Sequence, residues 1–142
     1  MQGLRISFEP YAGEAEQRQV RDSLDLYNVA TTGHAAFYPV TFFLRDARDE
    51  ILGGLLGQIW GQWLEVKTLF VAEPARRAGH ASRLLAAAEA YGRERGCIGA
   101  TLSTYSFQAR GFYEKQGYTV FGTLEDEPPG HAHHFLSKRF AG

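Results

Sequence analysis

The stretch from Val40 to Val71 limits the fold more than any other. It holds three apolar runs, VTFFLRD, ILGGLLGQIW and WLEVKTLFV, separated only by the polar DARDE turn and by Gly61-Gln62. Turns this short join antiparallel neighbours, so the three runs predict a meander of consecutive strands. The third run is rich in β-branched and large apolar residues and reads as a buried central strand. Pro74 has no N–H for a ladder, which stops that strand near Ala72.

The remaining elements fit around the meander. Leu4 to Pro10, LRISFEP, predicts a short opening strand ended by proline. Glu14 to about Thr31 predicts a helix, with Val20, Leu24 and Tyr27 on one face. The segment TTGHAAFYP is a loop broken by Gly33 and Pro39, with room for a short helix. From Gly79 to Arg95, the residues Ala81, Leu84, Leu85 and Ala88 mark one helix face, and Gly96 is a natural stop. CIGATLST reads as a strand and FQARGFYEKQG as a short helix ended by Gly117. YTVFGTL and HHFLSKRF read as a last antiparallel pair joined by the EDEPPGHA loop. This order gives an α/β (α+β) chain with a mixed sheet and helices on its faces. With 142 residues, no repeat and no linker, it is expected to form one domain over 1–142.

Composition narrows the function classes. A formal charge of −1 provides no bulk field for nucleic acid or an anionic membrane, so neither is an expected partner. No apolar run approaches the length of a bilayer span, and MQGLRISFEP lacks the apolar core of a signal peptide. The single cysteine, Cys97, has no partner for an internal disulfide and suits a reducing compartment. The expectation is a cytoplasmic protein.

The chemistry concentrates in RRAGHA, Arg76 to Ala81, where a helix begins. The first N–H groups of a helix lack intrahelical partners and carry partial positive charge. Gly79 has no Cβ to keep an anion away, Ala78 and Ala81 add little bulk, and Arg76 and Arg77 can pair with phosphate oxygens. The arrangement suits a pyrophosphate, but it is also an ordinary basic helix entrance. It is not a nucleotide P-loop, since His80 and Ala81 follow Gly79. Nor is it a dinucleotide fingerprint, which needs three glycines.

In context, LFVAEPARRAGHASRLL resembles the acetyl-CoA-binding motif of the GNAT superfamily of N-acetyltransferases, with Arg76, Gly79 and Ala81 at its three defined positions. Downstream, FQARGFYEKQGY is similar to the family's second signature through Ala109, Phe112, Tyr113, Lys115, Gly117 and Tyr118. The resemblance covers nearly the whole chain. It implies a mostly antiparallel mixed sheet of about seven strands, helices on both faces, and a parallel pair splayed at the cofactor site.

The resemblance also implies site roles. Acetyl-CoA would be the acetyl donor. Its pyrophosphate would rest on N–H groups from about Arg77 through Ala78, Gly79 and His80 to Ala81, with Arg76 or Arg77 beside the phosphates. Its pantetheine arm would pair with Leu69, Phe70 and Val71, and the splay would lie between WLEVKTLFV and CIGATLST. Tyr113 stands at the general-acid position, where a phenol stays protonated at neutral pH. Glu65 is the candidate general base if it is buried with a raised pKa, and otherwise a solvent-facing partner for Lys67. Many members carry Asn three residues before Ala109; here Ser106 stands there, with Gln108 nearby as another replacement. Phe37 and Tyr38 are the acceptor-side candidates, and the acceptor would be an amine of a small molecule or peptide. A non-catalytic acyl-CoA-binding module is the alternative reading.

Other constellations carry less. His131, His133 and His134 invite a metal reading, but no cysteine lies nearby and no metal site is expected. Glu125, Asp126 and Glu127 can attract a cationic amine or simply form a solvated turn. Cys97 enters a strand and reads as a buried, inert thiol. A sheet edge at HFLSKRFAG leaves a homodimer open without requiring one.

Overall fold

The protein is described from a computed structural model covering residues 2–34 and 37–141; Ala35 and Ala36, and with them part of the loop that had room for a short helix, lie outside the described residues. The chain divides into two compact units, Met1–Ala36 and Phe37–Gly142.

In the first unit, residues 4–9 form no regular strand, contrary to the expectation for LRISFEP. Alternation of Leu4, Ile6 and Phe8 marks a segment able to bury one face, but a strand exists only when a neighbour takes its N–H and C=O groups. Helix α1 (Glu14–Thr32) then follows. Glu14 and Glu16 sit in its first turn, where carboxylates complement the helix dipole. Gly33 ends it in a left-handed conformation, φ 77°, donating its N–H to the Val29 carbonyl at 2.8 Å.

The second unit contains β1 (Tyr38–Arg45), β2 (Ile51–Trp60), β3 (Trp63–Val71), a 3-10 turn at Glu73–Ala75, α2 (His80–Glu94), β4 (Gly99–Tyr105), α3 (Arg110–Lys115), β5 (Thr119–Glu125) and β6 (Ala132–Arg139). Its six strands have the order β1-β2-β3-β4-β6-β5. All neighbours pair antiparallel except β3 and β4. The sheet of this unit is thus mixed and mostly antiparallel, with six strands where about seven were expected.

Alternation sets the faces. Leu64 and Val66 of β3, and Ala100 and Leu102 of β4, are buried with Leu84, Leu85 and Ala88 of α2, while Glu65 is exposed on the opposite face. Each fully buried leucine contributes about 2 kcal/mol by area. A β-bulge breaks the alternation in β3: Leu56 pairs with Thr68 and Gly57 with Val66, so Lys67 is left over. A Cβ at Gly57 would strike the Glu65 carbonyl oxygen, which explains a glycine opposite the bulge.

Candidate active site

Parallel pairing of β3 with β4 runs from Trp63↔Gly99 to Val66↔Leu102 and then ends. Beyond it, β3 continues with β2 to Val71, whereas β4 continues with β6 to Tyr105. The two central strands therefore fork immediately after the bulge. A cavity of about 740 Å³ fills the fork, with Val66 to Val71 on one side and Ser103, Thr104, Gln108, Phe112 and Tyr113 on the other.

One end of this cleft reaches the start of α2. A second cavity of about 380 Å³ shares Val71, Arg76, Ala81 and Phe112 with it and adds Arg77, Gly79, His80 and Ser82. Gly79 is the N-cap of α2 at φ 78°, and no side chain caps the helix. First-turn N–H groups thus remain available to an anion. A Cβ on Gly79 would meet no protein atom within 4 Å, so the space in front of the loop is open. Arg76 is turned inward: its Nε donates to the Val71 carbonyl at 2.7 Å, and its guanidinium lies 5.5 Å from the Phe70 ring centre. Arg77 is exposed, with φ at 64°.

Tyr113 lines the cleft and is only 7% exposed. Its ring is edge-on to Phe112 at 5.2 Å and to Tyr118 at 6.0 Å. Burial pushes its phenol above the ordinary tyrosine value, so the neutral, proton-carrying form is favoured. Among the described residues no hydrogen bond holds the Tyr113 hydroxyl.

A buried network supports that ring. The Tyr118 hydroxyl donates to Glu89 Oε2 at 2.8 Å, and Lys138 Nζ donates to Glu89 Oε1 at 2.8 Å. Burial first, then the Glu89 charge and hydrogen bond, push the Tyr118 phenol far up. The sequence reading passed over Glu89, although its place between Ala88 and Gly92 on the buried stripe was the available signal.

The structure gathers most of the expected residues and separates others. Leu69, Phe70, Val71, Arg76, Ala81, Gln108 and Tyr113 line the cleft, and Arg77, Gly79 and His80 line its cradle end. Ala78 lines neither cavity, and Ser106 is engaged with β6, accepting a hydrogen bond from the Ala132 N–H at 3.0 Å. Of the two candidates for the missing asparagine, only Gln108 faces the cleft; its Oε1 accepts from Thr104 Oγ1 and the Tyr105 N–H. Glu65 is not in the buried setting expected of a tuned base. It is exposed, and its partner is Gln58, at 3.1 Å, rather than Lys67. Glu65 and Lys67 nevertheless line a third cavity, of about 280 Å³, that shares Val66, Lys67 and Ser103 with the cleft.

Phe37 and Tyr38 stand elsewhere. Phe37 stacks on Trp60 at 5.8 Å, and the Arg95 guanidinium lies 4.5 Å from the Tyr38 ring centre. Arg95 follows the last residue of α2, about 20 Å along the helix from the cradle. The geometry does not bring these two rings to Tyr113. The histidines likewise have separate partners: His133 with Glu127, and His134 with Thr123. Cys97 is buried; desolvation pushes its thiol up against a smaller opposing effect of Arg95.

A fork whose free strand edge leads from an anion-receptive helix start to a buried proton donor suits a long thioester ending in a pyrophosphate. That defines the class, an acyltransferase drawing on coenzyme A. Comparison with known proteins agrees. The family model described as the acetyltransferase (GNAT) family matches residues 4–118. A blasticidin-S acetyltransferase of Streptomyces morookaense is 49% identical over 92 residues, 64% of this chain and 68% of that protein. A crystal structure of an Agrobacterium tumefaciens protein described as an acetyltransferase has a TM-score of 0.91 at 34% identity, covering 96% of this chain and 100% of that one. A Bacillus anthracis protein solved with acetyl coenzyme A has a TM-score of 0.65 at 20% identity, over 73% of this chain and 64% of that one; it shares the fold. This chain belongs to the GNAT acetyltransferase family and is an acetyl-CoA-dependent N-acetyltransferase. No described helix is long and apolar enough to cross a membrane.

Proposed function

We propose that the protein moves the acetyl group of acetyl-CoA directly to a primary amine of a small molecule or peptide, with Tyr113 as general acid. The observation that carries this reading is a buried tyrosine, kept protonated, in the same forked cleft as the unpaired edge of β3. The open space before Gly79 and the uncapped start of α2 fit a pyrophosphate. Main-chain groups of Leu69, Phe70 and Val71 would hold the pantetheine arm. Arg77, exposed beside the cradle, is better placed for a phosphate than Arg76, whose Nε is already committed to Val71.

The donor supplies an acetyl thioester. A new N–C bond forms as the C–S bond breaks; Tyr113 gives its phenolic proton to the departing thiolate, whose ordinary pKa is about 8.5, and regains a proton through solvent as the new amide nitrogen sheds its surplus one. The amine must shed a proton to attack, and Glu65 on the acceptor side would receive it through water. The Streptomyces relative named for blasticidin S makes small-molecule amines the acceptors to test first.

Calorimetry with acetyl-CoA, followed by thiol release across amino acids, polyamines, aminoglycosides, blasticidin S and basic peptides, tests the proposal. Saturable binding with acceptor-dependent thiol release is expected. No saturable binding at millimolar acetyl-CoA would sink it.

A further inference from the structure

Resting on that reading, we propose that a row of five rings beside the fork is the acceptor subsite, and that it takes an acceptor carrying a flat, positively charged group. The ladder builds the row: Tyr105 of β4 lies opposite His133 of β6, and Ser103 opposite Phe135, so His133 and Phe135 share the Glu65 face of the sheet. His133 stacks on Tyr105 at 4.3 Å and leans on Phe135 at 4.4 Å. Tyr105 stacks on Phe107 at 5.5 Å, and Phe107 meets His131 edge-on at 4.9 Å.

Two rings of this row, Phe107 and Phe135, identify it as a site rather than packing. Phe107 lines the cleft that contains Tyr113, whereas Phe135 lines the cavity that contains Glu65. The rings therefore bridge the proton donor and the acceptor-side carboxylate. Phe107 is 56% exposed although it is a large apolar ring at a cleft mouth, an arrangement that a stacked ligand would cover.

Charge selects the ligand. Aromatic faces are electron-rich and attract cations, most strongly planar ones that can also stack. The β5–β6 connection adds Glu125, Asp126 and Glu127. The Glu127 carboxylate accepts the His133 Nδ1 proton at 2.6 Å, which fixes the imidazole in the row. Lys67 and Arg76 are the opposing cations: Lys67 lines both cavities, and Arg76 lines the cleft with its Nε committed to the Val71 carbonyl. A planar cation is thus favoured over Tyr105, Phe107 and His133, and a compact ammonium gains little from the rings.

The test is binding of benzamidine, a flat cation, against n-butylamine and benzamide as an aliphatic cation and a flat neutral, measured by calorimetry with and without saturating coenzyme A. Benzamidine is expected to bind about tenfold more tightly than either control. Phe107→Ala and Phe107→Leu should each lose about that factor while coenzyme A affinity holds within about twofold; the leucine variant keeps the apolar bulk and removes only the ring. Equal binding of the three probes, or undiminished benzamidine binding in both variants, would overturn the proposal. Failure of wild-type protein to bind coenzyme A would instead overturn the transferase reading, and the probe ranking without coenzyme A would still judge the rings.

Discussion

The two ends of the cleft are built from different materials. On the proposed reading, binding at the cradle would rest on main-chain N–H groups at the start of α2 and on the absence of a side chain at Gly79. At the other end it would rest on side chains: the rings of Tyr105, His133 and Phe135, placed by pairing between β4 and β6, and Phe107 in the turn that follows β4. Main-chain donors tolerate any sequence that keeps the backbone path and so suit an invariant donor. Rings change identity with a single substitution, so the acceptor can change while the cradle stays. Tyr113 stands between them and answers to both.

That division can be broken by experiment. Tyr113→Phe should reduce kcat by about 100-fold or more, because it removes the proton and little else. Both the acetyl-CoA and the acceptor dissociation constants should stay in place; a shift in either would show that Tyr113 binds rather than donates. Gly79→Val should raise the dissociation constant of acetyl-CoA about 30-fold, roughly 2 kcal/mol, with acceptor binding unchanged. Wild-type affinity in that variant would remove the cradle from the argument.

Alkali gives a third, smaller effect. The Tyr113 and Tyr118 phenols are raised in the folded state, so the unfolded chain loses protons first, near pH 10. Stability is then full below that pH and falls above it, by up to about 1.4 kcal/mol per pH unit for each group. Urea titrations between pH 9 and 11 should show the fall, and Tyr118→Phe should flatten it; an unchanged slope would mean that burial and Glu89 together do not hold the Tyr118 phenol neutral. Smallest is Glu65→Gln, expected to cost about fivefold in kcat/KM for a cationic acceptor with no change for acetyl-CoA, because the carboxylate is exposed and bulk water can take the amine proton in its place. An effect confined to acetyl-CoA would move Glu65 to the wrong end of the cleft.

Much of the fold was legible because its signals are local. The meander, the helix after Gly79 and the final strand pair follow from alternation, turn residues and Pro74, and the strands β2 and β3 fall on the residues read for them. The helix start at Gly79 was legible for the same reason, since its residues are consecutive. LRISFEP was expected to be a strand and residues 4–9 form none, because alternation reports which face a strand would bury and carries no information on pairing. Phe37 and Tyr38 were named because the resemblance puts the loop after the first helix beside the acceptor, whereas ladder register puts Tyr38 opposite Ile59, at the far end of α2. The five-ring row was invisible for the converse reason. Tyr105 and His133 are far apart in the chain and meet only because β6 inserts between β4 and β5.

Lys67, the unpaired residue in β3, carries a further consequence. Before it, even-numbered residues of the strand are buried; after it, the inward positions are Leu69 and Val71. The strand is a repeating pattern with a phase error of one residue, and the fork opens where the error occurs. Deleting Lys67 would restore the phase, let β3 and β4 run on as ordinary neighbours, and yield a better sheet that has lost its cleft. In this protein the working gap is a counting mistake that the fold retains.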